Sequence, residues 1–150
     1  MRPFTSALCA GLAAALLATA IASATTRAAT ATTIHLIQSP ATSTFVDLGA
    51  RGPSAGDILV LKAALRSPAT GKAVGHAEGY CVLLDPRLQD YQCQIQNVLA
   101  HGTLIGTGPF TPGKPGLAAI VGSGAYAGDR GQVTITPKDA RGTLDLVFRL

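Results

Sequence analysis

Short runs of apolar or alternating residues recur along the chain, separated by Gly, Pro, Ser and Asp. None of them repeats its apolar residues at the spacing of three to four that marks a helix, and their lengths suit strands. The runs are residues 34 to 38, 44 to 48, 57 to 66, 73 to 84, 91 to 100, 102 to 108, 117 to 121, 131 to 136 and 143 to 150. Short strands at regular intervals predict an all-β sandwich or barrel.

Alternation within two runs predicts which side of each strand points inward. In residues 57 to 66 every second position is Leu or Ala, and the positions between them include Lys62 and Arg66. Charged side chains remain in water unless they are paired, so the Leu and Ala side is predicted to face the core. The same argument places three side chains of the last run inside: Leu144, Leu146 and Phe148.

The run from residue 73 to residue 84 has two candidate inner faces. One face consists of Ala and Gly and ends at Cys81, whereas the other carries His76 and Glu78. Small residues pointing inward would leave a cavity, and pointing outward they would let another element pack closely. Alternation alone leaves the choice open.

A hairpin can bring two cysteines together in this region. Asp85-Pro86 is a turn signal between Cys81 and Cys93, and a hairpin folded there sets the two cysteines directly opposite each other. The third cysteine, Cys9, lies in an amino-terminal segment that is expected to be removed on export, as described below, so the mature domain has two. An even number of cysteines in an exported domain favours a disulfide, with two free buried thiols as the alternative. A bridge requires both cysteines on one face, which favours the small-residue face as interior and puts Asn97 on that face.

The amino terminus has the pattern of a secretory signal peptide. Met1-Arg2 precedes an apolar, alanine-rich segment that runs from Ala7 to about Ala22 and is followed by small residues. It is short for a membrane span, which needs about 20 apolar residues. We therefore expect a signal peptide over residues 1 to 24, secretion to the extracellular space and no membrane attachment after cleavage. Residues 25 to 43 are expected to form a Thr/Ala-rich disordered start and a lead-in strand.

Charge and histidine spacing narrow the range of partners. The chain carries 12 Lys and Arg against 8 Asp and Glu, but its basic residues are scattered singly and Trp is absent. Nucleic-acid binding is therefore not expected. The three histidines show no ligand spacing, so neither a metal nor another cofactor is predicted. The glycines of residues 118 to 136 lie between two strands, with no helix to receive a phosphate, and predict a tight connection.

Four stretches, taken together and in order, resemble the allene oxide cyclase barrel and its relatives, the dirigent proteins. The resemblance covers residues 44 to 150 and rests on AGDILVLKAAL at 55, GKAVGHAEGYCVLL at 71, HGTLIGTGPF at 101 and AAIVGSGAYAGDRGQVTI at 118. It implies an eight-stranded antiparallel β-barrel around an apolar cavity. A barrel of that size has room for one small ligand. The resemblance also suggests a homodimer or homotrimer.

The resemblance suggests a catalytic carboxylate on the first strand. The cyclases carry Glu-Leu-Asn there, and FVDLGARG in this chain offers Asp47-Leu48-Gly49. Asp47 retains the acid with a shorter side chain, while Gly49 lacks the amide. Asp47 is therefore the predicted catalytic residue, and the expected substrate differs from an allene oxide fatty acid. A surface Asp next to a turn is the alternative.

Three further residues are candidate ligand contacts. Asn97, on the predicted inner face, could bind a ligand carbonyl or satisfy the backbone. Tyr126 corresponds to an aromatic residue that is common in this loop of the family, where it could contact a ligand or pack at the rim. Glu78 shares a face with His76, and the two could form an acid-base pair if that face were interior.

Three functions remain compatible with the sequence. The first is a secreted barrel that steers the cyclisation or coupling of a small apolar molecule by holding one conformer. The second is a non-catalytic extracellular barrel that binds a small hydrophobic molecule. The third is an interaction module whose barrel is filled with side chains. A sizeable cavity would exclude the third, and ionisable groups facing it would favour the first over the second.

Overall fold

The computed structural model describes residues 32 to 150, which form nine β-strands and no helix. The strands are β1 (Thr33–Gln38), β2 (Thr42–Val46), β3 (Ile58–Arg66), β4 (Ala73–Asp85), β5 (Asp90–Leu99), β6 (Gly102–Phe110), β7 (Gly116–Gly124), β8 (Arg130–Pro137) and β9 (Leu144–Arg149). Within this part of the chain no helix has the length and apolar character needed to cross a membrane. The predicted signal peptide lies outside the described residues.

The sheet closes on itself through β1. From β3 to β9 each strand pairs antiparallel with the next one in the sequence, and β1 pairs with β9 on one side and with β3 on the other. Gln38 lies where the barrel closes, because it is in register with both Leu144 of β9 and Leu65 of β3. The predicted eight-stranded antiparallel barrel is confirmed, and β2 is an extra strand that pairs with β3.

The inner faces follow the alternation that the sequence shows. Ala63 and Leu65 of β3 are buried, and so are Leu146 and Phe148 of β9, whereas Lys62 on the opposite face of β3 is exposed. The centre of the core cluster consists of residues from six strands: Leu36, Leu65, Ala77, Leu104, Ile120 and Phe148. This cluster fills one half of the barrel.

The β4–β5 hairpin settles which face of β4 is interior. Cys81 and Cys93 are in register and form a disulfide, as predicted. Ala77 and Cys81 are buried, while His76 and Glu78 lie on the outer face and are partly exposed. A disulfide needs its two Cβ atoms on the same side of the sheet, so the bridge and the burial pattern agree.

The glycine-rich stretch between β7 and β8 is a tight turn. Gly124 and Gly128 have φ values of +66° and +90°, a region that residues with a side chain rarely adopt. The backbone N–H groups of Tyr126 and Asp129 are bonded within the turn, to the carbonyls of Ser123 and Tyr126. The turn carries no helix, so it lacks the N-terminal dipole that a phosphate site requires.

Candidate ligand cavity

A cavity of about 420 Å³ occupies the half of the barrel that the core cluster leaves empty. Side chains at the end of this half are small, including Gly106, Gly108 and Ala118, and they leave room that larger residues would fill. The apolar wall is completed by side chains from β3, β5, β8 and β9: Leu59, Leu61, Ile95, Val133, Ile135, Leu144 and Leu146. The barrel is therefore hollow, which excludes the filled interaction module considered above.

The cavity opens at the end where two turns meet. Exposed residues of the β6–β7 turn (Pro112, Gly113) and of the β8–β9 turn (Ala140, Arg141) line it. The opposite end is closed by the core cluster, whose central member Phe148 is fully buried and also forms the cavity floor. A ligand would therefore enter and leave by one end.

One ion pair stands at the mouth. Arg141 lies 3.3 Å from the carboxylate of Asp139, and most of its side chain is in solvent. Asp139 also accepts hydrogen bonds from the backbone N–H groups of Arg141 and Thr143, at 3.0 Å each. The bond from Thr143, followed by those from Arg141, holds the pKa of Asp139 below its usual range. The carboxylate therefore serves first to fix the turn.

Asn97 is the polar side chain deepest in the wall. It is 4% exposed, it lines the cavity, and its Nδ2 donates a hydrogen bond of 3.1 Å to the carbonyl oxygen of Leu104 on β6. Its Oδ1 has no partner, the only such buried side-chain atom among the described residues. Buried polar atoms are nearly always paired, so this oxygen is an exception that requires an explanation.

The Cys81–Cys93 disulfide is part of the cavity wall. Both cysteines are buried and both line the cavity, between Leu59 on β3 and Gly108 on β6. The bridge joins β4 to β5 close to the turn between them, where the two cysteines are in register. A change in this bond would act directly on the site.

Asp47 lies away from the cavity. The residue is exposed, follows β2 in the loop to β3, and accepts a hydrogen bond of 2.9 Å from the backbone N–H of Gly52. It is not among the residues that line the cavity. Its predicted catalytic role therefore has no geometric support.

The carboxylate that organises this loop is Asp57, which was not among the residues predicted from the sequence. It is fully buried and accepts hydrogen bonds from the backbone N–H groups of Leu48 (2.9 Å) and Ser54 (2.6 Å) and from the Ser54 hydroxyl (3.2 Å). These bonds, that from Leu48 above all, lower the pKa of Asp57. Its position just before an apolar strand, after a Gly/Pro/Ser-rich stretch, was the only signal available.

Tyr126 and Glu78 also lie outside the cavity. Tyr126 is partly buried and packs against the core cluster from the β7–β8 turn, at the closed end. Glu78 lies on the outer face of β4, where its carboxylate is 3.5 Å from Lys62 Nζ and 3.4 Å from His76 Nε2. Of the four predicted site residues, the structure places only Asn97 in the cavity wall.

The wall offers little acid-base chemistry. Among the described residues that line it, the ionisable ones are Asp139 and Arg141, which pair with each other at the mouth. No group of three or more His, Cys, Asp or Glu in residues 32 to 150 is arranged to hold a metal ion. What the site can do to a molecule is to desolvate it, to restrict its shape and to form a hydrogen bond to it.

No family model matches the chain, and no curated protein matches it in sequence. Its fold, however, is shared with solved structures. A pyocyanin demethylase superposes with a TM-score of 0.65 at 22% identity, covering 79% of this chain and 100% of its own. The Diels-Alderase AbmU from Streptomyces koyangensis gives 0.63 at 18%, covering 81% and 70%. The pterocarpan synthase dirigent protein PsPTS1 gives 0.62 at 17%, covering 79% and 92%.

These likenesses establish the class of fold. The chain is a dirigent-like β-barrel, as the four sequence motifs predicted, and its structural neighbours include both dirigent proteins and cyclase barrels. Identities of this size establish the architecture and leave the chemistry to be argued from the cavity itself.

Proposed function

We propose that this protein binds one small, mainly apolar molecule inside the barrel and steers its cyclisation or coupling by confinement. The observation that carries the proposal is the cavity of about 420 Å³, apolar along its wall and open at one end. Its volume is within the range of sites that enclose a small organic ligand.

Confinement can select one product without acid-base groups. A flexible chain that is held in one folded conformer loses the entropy of its other conformers before it reacts, and this accelerates the closure that matches the held shape. In a cycloaddition the electrons rearrange within the substrate, so no proton has to be supplied by the protein. The small inner residues and the ring of Phe148 give the site a defined shape for this purpose.

The structural neighbours support this choice. One is a Diels-Alderase and another a pterocarpan synthase dirigent protein, and both share the barrel with this chain. The same barrel fold thus occurs in a Diels-Alderase and in a pterocarpan synthase dirigent protein. Neither neighbour identifies the substrate of this chain.

A non-catalytic binding barrel is the second candidate. The observation that favours it is the position of the ionisable lining groups, which are confined to the ion pair of Asp139 and Arg141 at the mouth. Such a barrel would bind its ligand without altering the proportions of any products. The two functions therefore differ in an outcome that can be measured.

We further propose that the mature protein acts outside the cytoplasm as a homodimer or homotrimer. The Cys81–Cys93 disulfide supports the first part, because stable disulfides persist in oxidising compartments. The exposed apolar side chains Val60 and Tyr80, in register on β3 and β4, support the second.

The test uses a linear hydroxy ester in which a conjugated diene and an activated alkene are joined by a three-carbon tether. Its spontaneous closure gives cis- and trans-fused bicycles, whose ratio and enantiomeric excess chromatography measures. We expect the wild type to shift that ratio and to produce an enantiomeric excess, and Ala118→Phe, which fills the cavity, to abolish both effects. Ala119→Phe adds the same ring to the outer face of β7 and serves as the control.

Bound ester that closes with the buffer ratio and no enantiomeric excess would contradict steering and support the binding barrel. An equal effect in wild type and Ala118→Phe would show that the reaction takes place outside the cavity.

A further inference from the structure

The hydrogen bond that Asn97 makes determines which of its two terminal atoms is the oxygen. The carbonyl of Leu104 can only accept, so the group of Asn97 that faces it must be the amide N–H₂, and this assigns the other terminal atom as oxygen. An amide oxygen only accepts. The group that completes the site must therefore supply a hydrogen.

The position of Asn97 makes a ligand the natural source of that hydrogen. On β5 its side chain is on the same face as Cys93 and Ile95, and all three line the cavity. The oxygen exposes almost no surface, either to bulk water or to the cavity, and no protein group donates to it, so a ligand donor reaches it once the side chains around it shift. An acceptor that is desolvated in this way is costly when unpaired, and it binds a donor more strongly than the same group in water would.

We propose that Asn97 is the polar anchor of the cavity and that it selects ligands carrying a neutral hydrogen-bond donor, a hydroxyl or an N–H, on an apolar body. This inference rests on the proposed function, since it names the class of molecule that the cavity takes. From the sequence, Asn97 was a candidate partner for a ligand carbonyl, to which it would donate a hydrogen bond. The structure instead leaves its oxygen to accept a hydrogen bond from the ligand. A ligand that only accepts would leave the Asn97 oxygen unpaired.

Gln38 does not change this preference. It is the other buried amide in the lining, on β1 at the junction of β9 and β3. An amide that is free to turn over offers either a donor or an acceptor, so it can adapt to both kinds of ligand. Asn97 cannot turn over without breaking its bond to Leu104.

Three matched probes test the anchor on the wild-type protein: alpha-naphthol, its methyl ether and naphthalene. The naphthol can donate, the ether can only accept, and the hydrocarbon does neither, while their ring systems are identical. We expect naphthol to bind about tenfold more tightly than the ether, the size of preference that one neutral hydrogen bond confers. Titration calorimetry or the fluorescence of the bound ring measures the three constants.

Two variants assign the preference to Asn97. Asn97→Leu keeps the shape of the side chain and removes its polar atoms, and it should bring naphthol and its ether to equal affinity. Gln96→Met removes an amide from the neighbouring residue, which is exposed on the outer face of β5, and it should retain the tenfold preference. If Asn97→Leu does not fold, the comparison of the three probes on the wild type still tests the anchor.

The outcomes separate the anchor from the proposed function. Equal binding of all three probes by the wild type would overturn the anchor and leave the apolar cavity in place. Tighter binding of the ether than of naphthol would also overturn it, as would a preference that persists in a folded Asn97→Leu. Binding of none of the probes would overturn the proposed function, and the anchor with it.

Discussion

Cys81 and Cys93 face each other directly across β4 and β5, and the disulfide between them is part of the cavity wall. The same covalent bond thus belongs to the folding core and to the ligand site. Stability and binding should respond together when it is broken.

Replacing both cysteines by serine should lower the melting temperature. The bridge spans a sequence separation of 12, and in the chain-entropy model closing so short a loop stabilises a fold by about 3 kcal/mol. For a domain of this size that corresponds to roughly 10 °C. Thermal denaturation followed by circular dichroism measures it.

Reductant provides the control for this prediction. It should lower the melting temperature of the wild type and leave the double serine variant unchanged. A double variant that melts with the wild type would show that the bridge contributes nothing to stability.

Local pattern was enough to predict most of the barrel. The outer face of β3 carries apolar residues as well, including Val60, but the charged Lys62 and Arg66 occur only on that face, and they were enough to infer which face is buried. The pairing of Cys81 with Cys93 followed from a turn signal midway between them. These inferences depend on neighbours within one hairpin, which the sequence displays directly.

The site was less predictable because it depends on distant contacts. Asp47 and Asp57 are both acids in one loop, and only the fold shows that the second is buried and the first exposed. Residues 44 to 48 were predicted to form one strand, yet β2 ends at Val46. The N–H of Leu48 donates a hydrogen bond to the carboxylate of Asp57 and so belongs to the loop. The unpaired oxygen of Asn97 depends on the register of β5 with β6, which no local pattern specifies.

Acid should weaken the fold through Asp57. Hydrogen bonds, that from the Leu48 N–H above all, hold the folded pKa of Asp57 below the usual value for an aspartate, so the stability it contributes is complete above that usual value and is lost as the pH falls through the lower folded pKa. We expect the wild-type melting temperature to fall below about pH 4, and that of Asp57→Asn to be lower at neutral pH but less sensitive to acid. An Asp57→Asn variant that loses stability in acid as steeply as the wild type would contradict this.

The two ends of β7 should respond differently to a methyl group. A Cβ at Gly122 would clash with the backbone oxygen of Tyr126, whereas a Cβ at Gly116 would meet only ordinary contacts, the nearest being Pro109 O at 3.7 Å. Gly122→Ala is therefore expected to fold poorly or to melt far below the wild type. Gly116→Ala should melt near it. Similar melting temperatures for the two variants would contradict the close approach of the turn.

Self-association should depend on the outer face of β3 and β4. Val60 and Tyr80 are both exposed there and in register, so Val60→Glu is expected to convert a dimer or trimer into a monomer. Val121→Glu, on the exposed face of β7, is the matched control and should leave the assembly intact. Light scattering at tens of micromolar measures the mass, and a monomeric wild type would contradict the prediction.

The most direct test of the central claim is the stoichiometry with which alpha-naphthol binds to the wild type, Ala118→Phe and Ala119→Phe. The two alanines are neighbours on β7, and the first lines the cavity while the second points into solvent. A barrel that holds one small apolar molecule predicts one naphthol per wild-type chain, the same for Ala119→Phe, and a loss of binding for Ala118→Phe. Unchanged binding by a folded Ala118→Phe, or several equivalent molecules per wild-type chain, would contradict it.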